Sequence, residues 1–208
     1  MFIGFYGASV ALTYLGVCFG ITGMVLAFLG HIPAAMMCLI LAGVCDMFDG
    51  TVARACKRSE KEKKFGIQID SLADTISFGI FPIVLGICMG FTSKLHILIY
   101  ILYGLGAIIR LAYFNVLAEE KTLLIKKEKV SYYVGLPVTS AAIIFPFTYN
   151  LYLFAPKAIF LKAFPIVMLM VAILFVLNFK IKKPTGIWFV ICSILAAIEI
   201  AIISASMM

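Results

Sequence analysis

Seven long apolar runs, at residues 7–30, 34–56, 66–92, 95–117, 134–155, 159–179 and 185–206, dominate this sequence, and each is about as long as a helix must be to cross a bilayer. Hydrocarbon offers a backbone no hydrogen-bond partners, so runs of this length and character are expected as helices, whose N–H and C=O groups bond internally. The chain of 208 residues is 64% hydrophobic and only 13% charged, more apolar surface than a soluble domain of this size needs. The expected fold is an all-α integral membrane protein. The opening stretch from Met1 to Tyr6 carries no basic segment and no clear cleavage site, so the first run reads as a retained span rather than a signal peptide.

Charge placement gives the expected orientation. A net charge of +7 would suggest nucleic acid in a soluble chain, but the cations here follow the membrane topology. Twelve of them (Lys57, Arg58, Lys61, Lys63, Lys64, Lys121, Lys126, Lys127, Lys129, Lys180, Lys182 and Lys183) fall in alternate loops, and three (Lys94, Lys157 and Lys162) in the others. Cation-rich loops stay in the cytoplasm, which places the N-terminus there as well and excludes nucleic acid as a partner. A plasma-membrane location is expected. Cysteines 18, 38, 45, 56, 88 and 192 are scattered singly and read as small apolar residues.

Four aspartates interrupt this apolar pattern. Asp46 and Asp49 are three residues apart at the end of the second run, and Asp70 and Asp74 are four apart near the start of the third. Positions so spaced share one helix face, and a short connection makes the two pairs neighbours. A charged side chain near the bilayer centre costs from about 2.5 kcal/mol upward, and carboxylates in a dry medium repel one another strongly. They escape by protonation or by a bound cation. With only oxygen ligands, that cation is Mg²⁺ or Mn²⁺, with Ca²⁺ a non-productive substitute. Both pairs flank the first basic loop, so the site should open to the cytoplasm.

The string Asp46-x-x-Asp49-Gly50-x-x-Ala53-Arg54, followed by Gly66-x-x-x-Asp70-x-x-x-Asp74, specifies eight positions over 29 residues and resembles the motif of the CDP-alcohol phosphotransferase family. The resemblance implies a six-helix membrane core, usually a homodimer, that cleaves a CDP-linked lipid, transfers its phosphatidyl group to an alcohol and releases CMP. It implies that Asp46, Asp49 and Asp70 hold two metal ions bridging the diphosphate, and that Asp74 borders the metal site and acts as general base. Asp46, Asp49, Gly50, Ala53, Arg54, Gly66 and Asp70 would contact the CDP-lipid. On this basis residues 1–184 form the transferase core and 185–208 an additional transmembrane helix. The stretches Phe65–Gly79, Arg110–Asn115 and Gly135–Pro137 are similar to the bacterial membrane-embedded subgroup that makes phosphatidylserine, which implies CDP-diacylglycerol and L-serine as substrates among the membrane lipids. Eleven residues separate Arg54 from Gly66, three more than the family pattern usually has, so the loop beside the nucleotide is enlarged.

The residues themselves suggest how such a reaction would run. An alcohol is a poor nucleophile and a phosphodiester anion repels attack, so a base and positive charge are needed. His31 and His96 sit at the opposite ends of their helices, leaving no base for a covalent intermediate and favouring direct transfer. Arg110, in the fourth run, wants an anion: serine's carboxylate, the lipid phosphate or, structurally, a bridge between helices. Tyr113, Asn115 and Lys129 are further candidates around the acceptor. Glycerol phosphate, inositol phosphate or choline are alternative acceptors, but with only Arg54 and Arg110 within the spans a small acceptor bearing one carboxylate is favoured. A divalent-cation transporter is a distant alternative that would spread carboxylates over several spans. Glu199, in the last run, has no assigned role.

Overall fold

The computed structural model describes residues 3–123, 132–154, 156–182 and 186–207. Helices α1 (Ala8–Phe28) and α2 (Ile32–Ala55) form a hairpin around Gly30, whose φ of +84° suits a residue without a side chain. The third span is composite: α3 (Glu60–Asp74), a π-helical stretch (Thr75–Ile80) and α4 (Phe81–Cys88) follow without a break. Then come α5 (Lys94–Leu123), a 3₁₀ turn (Val138–Ser140) leading into α6 (Ala141–Phe154), α7 (Lys157–Val176) and α8 (Gly186–Met207).

Each expected span coincides with a helix, so the protein is an all-α, multi-pass membrane protein. Ala8–Phe28, Ile32–Ala55, Glu60–Cys88, Lys94–Ala118 and Ala158–Val176 are long and apolar enough to cross a bilayer, and Val138–Phe154 and Val190–Ser206 are shorter apolar helices.

Two local features depart from the sequence reading. The third helix is expected from residue 66 but begins at Glu60. Ser59 accepts from the Glu62 N–H at 3.3 Å, and Glu62 Oε2 accepts from the Ser59 N–H at 2.7 Å, a reciprocal cap that starts the helix early. The loop between the aspartate-bearing helices thereby shrinks to Cys56–Ser59. The second departure is a pair of three-residue strands, β1 (Tyr132–Val134) and β2 (Lys180–Lys182), aligned antiparallel with Tyr133 opposite Ile181. They tie the connections before α6 and after α7 together at one end of the bundle. Next to them Gly135, at φ +69°, lies where a Cβ would come 3.1 Å from the Leu177 carbonyl oxygen. That approach accounts for glycine in the Gly135-Leu136-Pro137 stretch.

Packing around α1 positions the site. Its inward face is Ser9, Val10, Thr13, Gly16, Gly20, Gly23 and Ala27, small enough for backbones to approach closely, which in lipid is a main source of helix association. A Cβ on Gly20 would come 2.9 Å from Ser77 Oγ, and one on Gly23 would run into Phe81 and Cys38. The α1 helix thus closes against both α2 and the composite third span. Deeper in the bundle Phe78, Phe81, Tyr103, Phe145, Phe164 and Met168 are fully buried. The Tyr103 hydroxyl donates to the Phe78 carbonyl at 2.7 Å, securing the π stretch from α5.

Candidate functional site

Helix α2 carries Asp46 and Asp49 on one face and α3 carries Asp70 and Asp74 on the face opposite. One carboxylate oxygen from each of Asp46, Asp49 and Asp70 lies within 4.8 Å of the others. Asp74, one turn further along, faces Asp46, as does the Thr139 hydroxyl. Asp49 is buried and the other three carboxylates are half-buried. The Thr13 hydroxyl of α1 donates to Asp49 Oδ2 at 2.7 Å and lies 3.1 Å from the Ser9 carbonyl. One proton serves one acceptor at a time, and the shorter contact to the charged oxygen is the stronger.

Three carboxylates at this separation repel strongly unless a positive charge joins them. Among the described residues none of the four is in an ion pair with Lys or Arg; the one such pair is Lys63 with Glu60 at 2.7 Å. The donors are all carboxylate oxygens, the ligand chemistry of a hard divalent cation such as Mg²⁺ or Mn²⁺. The residues present therefore fit a metal centre, with Thr13 leaving the second oxygen of Asp49 available as a ligand.

A cavity of about 350 Å³ opens beside this cluster, between α1, α2 and α3. Asp49 and Asp70 form one end of its wall. Gly50, Ala53 and Arg54 of α2 and Gly66 of α3 continue it, and Arg58, Lys63 and Lys64 line it toward the loop. Of the residues expected to contact a CDP-lipid, all but Asp46 line this cavity, and Asp46 lines a smaller adjoining one together with Asp49 and Asp74. Arg54 donates to the Thr51 hydroxyl at 2.9 Å. A Cβ on Gly50 would come 3.6 Å from Arg54 Nη1, and one on Gly66 would come 3.2 Å from Arg58 Nη1, so a guanidinium lies over each glycine.

The α5 candidates separate. Arg110 is buried, its guanidinium carbon 4.5 Å from the centre of the Phe114 ring. Asn115 accepts from Ser71 at 2.8 Å and donates to Gln68 at 3.4 Å, and a Cβ on Gly79 would come 3.5 Å from that of Ala107. These two contacts bracket Arg110 at the depth of Asp74 and Thr75. Tyr113 is 50% exposed and turned outward. Lys129 lies outside the described residues. Sequence reasoning did not single out Thr13, Thr139, Lys63 or Lys64 as site residues, and it left Arg58 among the loop charges. For Lys63 and Lys64 the available signal was the Ser59-x-x-Glu62 cap, which sets them on the helix that carries Asp70. For Thr13 it was only a hydroxyl four residues from Ser9 in an apolar run.

Known proteins resemble the chain in the same region. The pattern of the family described as CDP-alcohol phosphatidyltransferase matches residues 8–198. A CDP-diacylglycerol--serine O-phosphatidyltransferase of Mycobacterium bovis is 34% identical over 135 residues, 64% of this chain and 45% of that protein. One from Saccharomyces cerevisiae is 36% identical over 112 residues, 53% of this chain and 40% of that protein. An archaetidylserine synthase of Methanothermobacter thermautotrophicus is 33% identical over 133 residues, 64% of this chain and 53% of that protein. The matched part thus spans about half the length of these relatives.

Proposed function

The chain belongs to the CDP-alcohol phosphatidyltransferase family, whose pattern runs through residues 8–198, and from that premise we propose that it transfers the phosphatidyl group of CDP-diacylglycerol to the hydroxyl of L-serine and releases CMP. One observation carries the reading: the carboxylates of Asp46, Asp49 and Asp70 converge within 4.8 Å, and beside them, with Asp49 and Asp70 in its wall, lies a cavity also lined by Arg54, Arg58, Lys63 and Lys64 against a single further acid, Glu60. Such a cavity offers metal ligands at one end and partners for an anionic nucleotide along its length. Serine as the acceptor is supported by the names of the relatives in bacteria and yeast.

In this reading Asp46, Asp49 and Asp70 would hold two divalent ions, Mg²⁺ or Mn²⁺, whose positive charge would neutralise the diphosphate and favour departure of CMP. Thr13 orients Asp49. Asp74, one turn along α3, takes the proton from serine's hydroxyl as the oxygen attacks phosphorus directly. Arg110, at the depth of Asp74, pairs with serine's carboxylate, and Asn115 positions Ser71 on the facing helix. Gly50, Ala53, Arg54 and Gly66 form the wall along which the nucleotide lies.

The same proposal places the cation-rich connections and the N-terminus in the cytoplasm, the protein in the plasma membrane, and two copies in a homodimer. The pairing of β1 with β2 supports the first point, because it joins two cation-rich connections at one end. Residues 1–184 are taken as the transferase core and 185–208 as an added helix. Among the described residues α8 packs on α2 and α6 and lines neither cavity.

The test is direct. Purified protein supplied with CDP-diacylglycerol, Mn²⁺ or Mg²⁺ and a panel of alcohols is expected to release CMP and form phosphatidylserine with serine. Release of CMP only with another alcohol would overturn the acceptor assignment. No release with any alcohol would overturn the transferase reading.

A further inference from the structure

We infer that Arg58 reads the base of the nucleotide, donating from its guanidinium to the carbonyl oxygen and the unprotonated ring nitrogen of cytosine. The inference rests on the transferase reading and adds a specificity residue that lies outside the eight-position motif, in the connection that is longer here than in the family pattern.

Three observations place it there. Arg58 lines the 350 Å³ cavity on the loop side. Its Nη1 lies over Gly66, 3.2 Å from where a Cβ would stand, so the guanidinium and the bare α3 backbone share one stretch of wall. Its charge lies near that of Glu62 but its Nε, shielded from solvent, has no hydrogen-bond partner, whereas Arg54 is bonded to Thr51 and Lys63 to Glu60. A guanidinium carries five donors in a fixed planar fork, and its outer nitrogens, of which Nη1 stands over Gly66 at the cavity wall, are the ones a ligand meets.

Position decides which part of the ligand it meets. The diphosphate belongs at the carboxylate end, near Asp49 and Asp70. Gly66 is four residues from Asp70 on α3, about 6 Å of helical rise toward the loop, and Arg58 covers Gly66 on that outer side. The portion of a nucleoside diphosphate lying that far from its metal-bound phosphates is the ribose and base. Cytosine presents two adjacent acceptors, a carbonyl oxygen and a bare ring nitrogen, which a guanidinium fork matches. Uracil presents N–H at that ring position, so donor would face donor, and the mismatch rejects it.

The experiment compares CMP, UMP and pyrophosphate binding to the purified full-length protein with Mn²⁺, by calorimetric titration. The unmodified protein is expected to prefer CMP over UMP. Arg58→Gln should weaken CMP by about tenfold or more, leave UMP little changed and erase the preference. Arg58→Lys, which keeps charge and reach without the planar fork, should also lose the preference. Pyrophosphate binding should be unchanged in both variants, which shows that the carboxylate end is intact. Equal weakening of all three ligands would place the guanidinium on phosphate and overturn the inference, as would an unaltered preference in either variant. Failure of the unmodified protein to bind CMP at all is a separate outcome that sinks the transferase reading itself.

Discussion

Thr13→Val tests whether an uncharged hydroxyl on α1 governs the carboxylate cluster. Valine keeps the branched shape of threonine, so packing against α2 changes little and the perturbation is the loss of one donor 2.7 Å from Asp49 Oδ2. Thr13 and Asp49 are each 7% exposed, so water has little room to replace that donor. A hydrogen bond to a charged acceptor contributes about 1.5–3 kcal/mol, equivalent to roughly 10- to 150-fold in a binding constant. Partners that orient metal ligands typically matter by about 10- to 100-fold. The two scales agree, and Thr13→Val is expected to raise the Mn²⁺ concentration for half-maximal CMP release by tenfold or more. Mn²⁺ binding measured by paramagnetic resonance, without substrate, should shift in parallel, and Thr13→Ser should recover most of the loss. A Thr13→Val protein that remains folded and needs Mn²⁺ within twofold of the unmodified protein would refute the reasoning.

Asp74→Asn is expected to abolish turnover while sparing Mn²⁺ and CMP binding more than Asp46→Asn does, because Asp46 belongs to the converging trio and Asp74 lies one turn beyond it; equal losses of binding in the two variants would remove the division between ligand and base. Arg110→Ala should raise the serine KM by about tenfold or more, the scale of a lost charge-assisted pair, with CMP affinity unchanged. An unchanged serine KM would assign Arg110 to structure. Tyr103→Phe removes the buried 2.7 Å bond to the Phe78 carbonyl and should cost about 1–3 kcal/mol of stability. Thermal unfolding in detergent would show this as a lower midpoint; an unmoved midpoint would mean that the π stretch does not depend on this anchor.

How much of this was legible in the sequence depends on the range of the interaction involved. The helices were legible because span length and apolar composition are properties of each run alone, and the pairing of Asp46 with Asp49 and of Asp70 with Asp74 followed from helical periodicity. Helix α3 was placed too late because the string from Glu60 to Lys64 is uniformly polar, and composition argued for a loop where the Ser59–Glu62 cap starts a helix. The π stretch after Asp74 and the strand pairing of Tyr132–Val134 with Lys180–Lys182 carry no periodic signal at all. They arise from tertiary partners, such as Tyr103 against the Phe78 carbonyl, that are distant in the chain.

The role of α1 follows from the same distinction. Nothing in its run from Ala8 to Phe28 is charged, so it looks like lipid-facing filler beside the aspartates of α2 and α3. Yet Gly16, Gly20 and Gly23 let it approach until Thr13 reaches Asp49 and Ser9 lines the cavity. A bulkier residue at Gly20 would meet Ser77, three residues beyond Asp74, and would push α1 away from both carboxylate-bearing helices together. The small residues of α1 therefore set how deeply the carboxylates are buried and how strongly they interact, since the charge on each helix acts at full strength only where the neighbouring backbone excludes water.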